Sequence, residues 1–162
     1  MSGVSHAIVV EGEFVNTTTV KRIGIAVVEQ AGHYLIGTRG PDVPLAGFAE
    51  FPGGKCCEEE AAEDCAVREC LEETGLTVRV ERLLIRRAHV YPHGTVDLHF
   101  ILCHPTADVA LTEEQRGFRW ISANELASLP FPAANADVVS LLSTAHGSLT
   151  AASIKPASCT RP

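Results

Sequence analysis

The stretch GKCCEEEAAEDCAVRECLEETGL, Gly54 to Leu76, decides how this chain folds. Pro52-Gly53-Gly54 breaks the chain before it, and Gly75 suits a left-handed stop after it. Lys55 to Thr74 is rich in Glu and Ala and holds neither Gly nor Pro, which predicts a helix through the middle of the stretch. On a helix Glu69, Glu72 and Glu73 are spaced three and four apart and share one face. They also fall in its last turn, where the helix dipole is negative. Two like charges about 6 Å apart repel by roughly 3 kcal/mol at an effective dielectric of 20. Either the face is solvated, or something positive offsets it, and a hard divalent cation suits carboxylate oxygens.

The flanking spacing separates these readings. Five residues stand between Gly54 and Glu60, and seven between Glu60 and Arg68; then come Arg68-Glu69-Cys70-Leu71-Glu72-Glu73-Thr74-Gly75-Leu76. This pattern resembles the signature of the Nudix hydrolases, with every fixed position filled. The resemblance implies a loop-helix-loop that binds Mg²⁺, or Mn²⁺, and cleaves a nucleoside diphosphate linked to another group. It implies Glu69, Glu72 and Glu73 as metal ligands, with Gly53 beside them. One of these glutamates or a nearby acid would be the base. Arg68 would belong to the catalytic set, supported by Glu60 and Gly54. The chain departs from its relatives at Glu59, where Gly is frequent, and at Cys56-Cys57, which replaces an apolar-acidic pair.

A chain of 162 residues with 46% apolar content fits one domain with a sizeable core. The net charge of −7 argues against a nucleic-acid polymer as partner, but not against a nucleotide whose phosphates a metal neutralises. No apolar run is long enough to span a membrane, and Met1-Ser2-Gly3 opens no signal peptide. The cysteines show no C-x-x-C spacing, and Cys65 and Cys70 lie five apart on the expected helix. They read as free thiols in a reducing cytoplasm, with neither a zinc site nor a disulfide framework expected.

Residues 1–19 read as an N-terminal extension. Val20 to Glu29 and Tyr34 to Arg39 form a hairpin about Ala31-Gly32-His33. A Pro- and Gly-rich loop, Gly40 to Gly47, follows and suits the mouth of a pocket. Glu50-Phe51-Pro52-Gly53-Gly54-Lys55 resembles the E-F-P-G-G-K stretch of the MutT-like branch, and Arg39 stands where that branch has a phosphate- or base-contacting Arg. The alternative for Arg39 is an exposed strand end. Thr77 to Tyr91 reads as one or two strands, and Thr95 to Cys103 alternates as a half-buried strand. Tyr91 stands where the branch has an aromatic. His89, His93 and His99 do not read as a zinc site.

Pro105 to Arg116 is a polar loop, Phe118 to Ile121 a short strand, and Ser122-x-x-Glu125 a capping box opening a helix over Ala123–Leu129. The MutT-like branch has an acidic residue directly before Trp120, where this chain has Arg119. Glu113 or Glu114 would be the substitute if one is needed. Phe131-Pro-Ala-Ala-Asn135 before an amphipathic run is similar to the same branch, where the Asn reads a damaged guanine. A carboxamide offers donor and acceptor side by side, matching a purine edge, although Asn is also common at helix starts.

The strands and helices give an α+β fold, which the resemblance specifies as the Nudix α/β/α sandwich with a mixed sheet between helices. It spans residues 20–143, with 144–162 as a disordered tail. The expected activity is Mg²⁺-dependent hydrolysis of a nucleoside triphosphate to monophosphate and pyrophosphate, with 8-oxo-dGTP implied by the MutT-like features. Alternatives are dCTP, a modified pyrimidine triphosphate or another nucleoside diphosphate derivative, and a non-catalytic nucleotide-sensing domain. Arg39, Glu50, Phe51, Tyr91 and Asn135 are the expected substrate contacts. A small nucleotide is the expected partner, and the chain is expected to be a monomer or homodimer.

Overall fold

A computed structural model describes residues 20–92 and 94–150. The extension 1–19, His93 and the last part of the expected tail lie outside the described residues. Strands β1 (Lys21–Gln30) and β2 (His33–Thr38) form the expected hairpin. Ala31 and Gly32 both take positive φ, 49° and 75°, which is what a two-residue turn between twisted strands requires. Next come β3 (Ala49–Glu50), β4 (Gly53–Lys55), helix α1 (Ala62–Thr74), β5 (Val78–Tyr91), β6 (Gly94–Pro105) and β7 (Arg119–Ser122). Helix α2 (Ala123–Leu126) and a 3-10 turn (Ala133–Asn135) lead into α3 (Ala136–Thr150).

The sheet order is β3-β2-β1-β6-β5, with β4 paired to β1 and β7 to β2. β1 runs parallel to β6, from Lys21 opposite Val96 to Val28 opposite Cys103, and the other pairs are antiparallel. Alternation along β1 sends Ala26 and Val28 to one face and Val27 to the other. On the first face α1 buries Ala62, Ala66 and Cys70 against Ala26, Val28, Ile101 and Cys103. On the second, Leu126, Val138 and Leu142 of α2 and α3 cover Val27, Leu98 and Phe100. The mixed sheet therefore lies between helices, as the sandwich requires. Gly24 sets how closely α1 seats: a Cβ there would come within 2.5 Å of the Ala62 carbonyl oxygen and 2.8 Å of the Ala66 nitrogen.

Several elements differ from the sequence reading. β6 is not half-buried: Ile101 and Cys103 face α1 while Leu98 and Phe100 face the other layer, all of them buried. Its polar Asp97 is tolerated there because Arg86 of β5 grips it through Nε at 2.9 Å and Nη2 at 2.8 Å, with His99 Nε2 at 3.0 Å. Helix α2 stops at Leu126 rather than Leu129, since Ser128 and Leu129 make only i→i−3 bonds before Pro130. Its opening matches the expected box, with the Glu125 carboxylate accepting from Ser122 N–H and Oγ–H. α3 runs to Thr150, past the expected domain end at Ser143, because no proline interrupts residues 144–150.

Candidate active site

The loop into α1 is shaped by its own side chains. Glu60 accepts the Cys57 N–H at 2.7 Å and so folds the turn back before the helix starts. Glu59 takes φ 62°, a left-handed conformation natural to Gly, which explains why Gly suits this position better. At the other end Gly75 closes α1 with φ 79° and its N–H on the Leu71 carbonyl. No basic side chain lies in the last turn. Instead Arg116, from the loop before β7, donates to the Glu72 carbonyl at 3.1 Å and offsets the negative helix end from outside.

Arg68 is the hub of the charge cluster. Its Nε and Nη2 bind the two oxygens of Glu60 at 2.8 Å each. Its Nη1 reaches Glu69 at 2.9 Å and Glu72 at 3.3 Å, and Nη2 also donates to the Lys55 carbonyl at 3.2 Å. The planar fork makes this possible; a lysine could not hold the same set. Arg68 and the Cys57 N–H pull the Glu60 carboxyl down to about 2. Arg22 of β1 adds a bond to the Glu60 carbonyl at 2.9 Å.

Glu73 stands outside this network. Its Oε2 accepts the Gly53 N–H at 3.0 Å. The residue keeps an open face to solvent, yet the cleft around it desolvates the carboxyl, and with charges at Glu50, Glu69 and Glu72 this raises its pKa to about 7 against the opposing Gly53 bond. Glu69 packs over Gly54 so closely that a Cβ there would lie 2.4 Å from its carboxyl carbon. Gly53 and Gly54 thus seat Glu73 and Glu69 against one short piece of main chain. Among the described residues the oxygens of Glu69, Glu72 and Glu73 do not form a three-ligand set within 4.8 Å, because Arg68 draws the first two and Gly53 the third.

A pocket of about 370 Å³ opens beside this cluster and contains Gly53 in its wall. Arg39, Glu50, Phe51, Tyr91 and Asn135, which the sequence places on four separate segments or turns, all line it. Arg39 follows β2 directly and is already engaged: Nε donates to the Pro44 carbonyl at 2.8 Å and Nη1 to Glu50 at 3.3 Å. Burial raises the pKa of Glu50, opposed by Arg39. Phe51 stacks on Phe131 at 5.2 Å between centroids and meets Phe100 edge-on at 6.5 Å. Asn135 ends the 3-10 turn, its N–H bonded to the Pro132 carbonyl at 2.9 Å. Tyr91 closes the β5 end, its ring against His89 at 4.5 Å.

Some features escaped the sequence reading. Phe131 was legible only as a lead into α3, and its stacking on Phe51 depends on tertiary folding. Arg116 and Arg22 carried no local signal. Glu113 and Glu114 are exposed, and the residue of their loop that reaches α1 is Arg116. Arg119 sits opposite Ile36 at the start of β7. Burial, with Cys56 close by, pushes the Cys65 thiol up to about 12.

Comparison with known proteins agrees with this architecture. A family profile described as the NUDIX domain matches residues 24–141. An 8-oxo-dGTP diphosphatase of Proteus vulgaris is 34% identical over 85 residues, covering 51% of this chain and 76% of that protein. A CTP pyrophosphohydrolase of Escherichia coli K12 is 27% identical over 113 residues, covering 70% and 82% respectively. The solution structure of a MutT protein from methicillin-resistant Staphylococcus aureus superposes with a TM-score of 0.65 at 27% identity, covering 80% of this chain and 99% of that one.

Proposed function

The chain belongs to the Nudix hydrolases, enzymes acting on phosphoric anhydrides, and from that premise we propose that it hydrolyses a nucleoside triphosphate to monophosphate and pyrophosphate, with 8-oxo-dGTP as substrate. The observation that carries this reading is the shared wall at Gly53. One side of that residue faces the pocket lined by Arg39 and Asn135, and its N–H holds Glu73 of the signature helix. A nucleotide seated in the pocket would bring its phosphates to the glutamates.

Nudix hydrolases generally use divalent metal ions. The donors here fit a hard ion such as Mg²⁺: the carboxylates of Glu69, Glu72 and Glu73 would hold it, with the Gly53 carbonyl as a further oxygen donor, and no Cβ at Gly54 obstructs Glu69. When bound, such an ion neutralises phosphate charge and acidifies the attacking water. The rest falls to the chain. Arg68 holds Glu69 and Glu72 in place. One glutamate of the cluster takes the proton of the attacking water. The Arg39 fork meets phosphate or base, Phe51 and Tyr91 flank the base, and the Asn135 carboxamide reads the purine edge. Phe51 and Leu98, both buried, give the pocket an apolar face for a base.

A second reading is hydrolysis of a cytidine nucleotide, favoured by the likeness to the protein named CTP pyrophosphohydrolase. The test is kcat/KM in Mg²⁺ for 8-oxo-dGTP, dGTP, CTP, dCTP and ADP-ribose, with products identified. Preference for 8-oxo-dGTP, releasing 8-oxo-dGMP and pyrophosphate, is expected. Preference for CTP or dCTP would overturn the base assignment and keep the glutamate cluster.

A further inference from the structure

The same loop carries a second set of ligands that the signature does not require. Cys56 on the loop, Glu60 at its turn and Cys65 in the second turn of α1 bring their sulfur and oxygen atoms within 4.8 Å of one another. Sequence spacing hides the set, since nine positions separate the sulfurs. The turn closed by Glu60 on the Cys57 N–H folds Cys56 back over the start of the helix. We propose that Cys56, Glu60 and Cys65 form a second cation site, distinct from the signature glutamates and selective for a thiophilic divalent ion of the Zn²⁺ class.

Geometry and chemistry agree on the ion. Tetrahedral Zn²⁺ with thiolates at about 2.3 Å places its sulfurs about 3.8 Å apart, so Cys56 need move only slightly. Soft thiolates discriminate against Mg²⁺, which the glutamate cluster suits. Three anionic ligands around a divalent ion leave one negative charge. Arg68 offsets it, since its Nη2 already lies 3.7 Å from Cys65 Sγ, and Arg22 and Lys55 flank the loop. A surface pocket of about 390 Å³, lined by Arg22, Lys55, Cys56 and Cys57, admits an ion to Cys56 from solvent. Water completes the fourth position. Binding releases two protons to the buffer, one from each thiol, and the metal–sulfur bonds replace them. The Cys65 thiol gives up its bond to the Gly54 carbonyl, now 3.4 Å. Glu60 turns away from Arg68 to reach the ion, so this site communicates with the glutamates through Arg68.

The test uses the full chain with saturating Mg²⁺ and Co²⁺ as the optical probe. One equivalent of Co²⁺ should give a thiolate-to-cobalt charge-transfer band with tetrahedral ligand-field absorption, and one equivalent of Zn²⁺ should erase it. Cys56→Ser, at a partly exposed position, should weaken that binding at least tenfold, with folding checked by circular dichroism. Cys57→Ser, a neighbouring exposed thiol outside the set, should leave the band unchanged. On Zn²⁺ addition the Arg68 Nε–H resonance should move. No charge-transfer band, or the same band in Cys56→Ser, would overturn the site. An unmoved Arg68 resonance with the band present would overturn its link to the glutamates.

Discussion

Glu60 and Glu73 belong to one motif and meet opposite surroundings. Glu60 is wrapped by a guanidinium and a backbone N–H and stays ionised into strong acid, with a pKa of about 2. Glu73 has one backbone donor, three neighbouring carboxylates and a partly desolvated cleft, and its pKa stands at about 7. With no metal bound, the first end of the motif is satisfied by the protein's own donors. The second is left electrostatically unsatisfied, which suits a place where a cation and phosphates are to arrive. A charged cluster can thus hold a structural end and a proposed reactive end on either side of one 13-residue helix, divided by the reach of Arg68.

Removing the proposed reactive end should have the largest effect. Glu73→Gln should cut kcat/KM by about a thousandfold while thermal unfolding still shows a folded chain; turnover within a few-fold of wild type would mean the two ends do not differ in role. Arg68→Lys keeps the charge but loses the fork that joins the ends. It should cost roughly tenfold to hundredfold in kcat/KM, the range for groups that orient metal ligands. Asn135→Ala should leave the motif alone and lower kcat/KM roughly tenfold to hundredfold for 8-oxo-dGTP, with little change for dCTP; equal losses on both would remove its reading of the base.

The pH dependence of stability sharpens the contrast because the signs are opposite. Glu73 has a folded pKa above the ordinary carboxylate value of 4.5, so its charge costs stability above about 7. That cost disappears as pH falls from about 7 to 4.5. Glu60 has a folded value below 4.5, so its contribution is present above 4.5 and is lost as pH falls towards about 2. With chelator present, Tm should therefore rise from pH 8 to pH 5.5 in the wild type, and the rise should shrink in Glu73→Gln. The smallest effect concerns the turn between the ends. Glu59→Gly should relieve the left-handed strain at φ 62° and stabilise the fold by about 1 kcal/mol, measured by denaturant unfolding.

The sequence was most legible where structure is local. The loop and helix around Arg68 and Glu73, the Ala31-Gly32 hairpin and the Ser122–Glu125 box depend on neighbours a few residues apart. Of the candidate site, the shared face of the glutamates followed from spacing, and their ligand role and the pocket residues from resemblance. Gathering Arg39, Glu50, Tyr91 and Asn135 into one wall is tertiary, and no periodicity encodes it. β6 was misread for the same reason. Asp97 looked solvent-facing because its partner Arg86 lies on another strand. The short β4 reads as a Pro-Gly-Gly break, yet β1 supplies its pairing from Ile23 to Ile25. The thiol pair was invisible because the turn that unites it is made by the Glu60 side chain.

The parallel pairing of β1 with β6 has a consequence for synthesis. Ile23 must wait for Leu98, its partner about 75 residues later in the chain. At about 5–20 residues per second, a ribosome takes roughly 4–15 s to make that span. Meanwhile the signature helix has emerged, but the platform beneath it lacks Ile101 and Cys103. Contacts this distant also slow refolding of the finished chain. The loop and helix of the signature are therefore made before the strand they pack over, and gain their full platform only when β6 has left the exit tunnel.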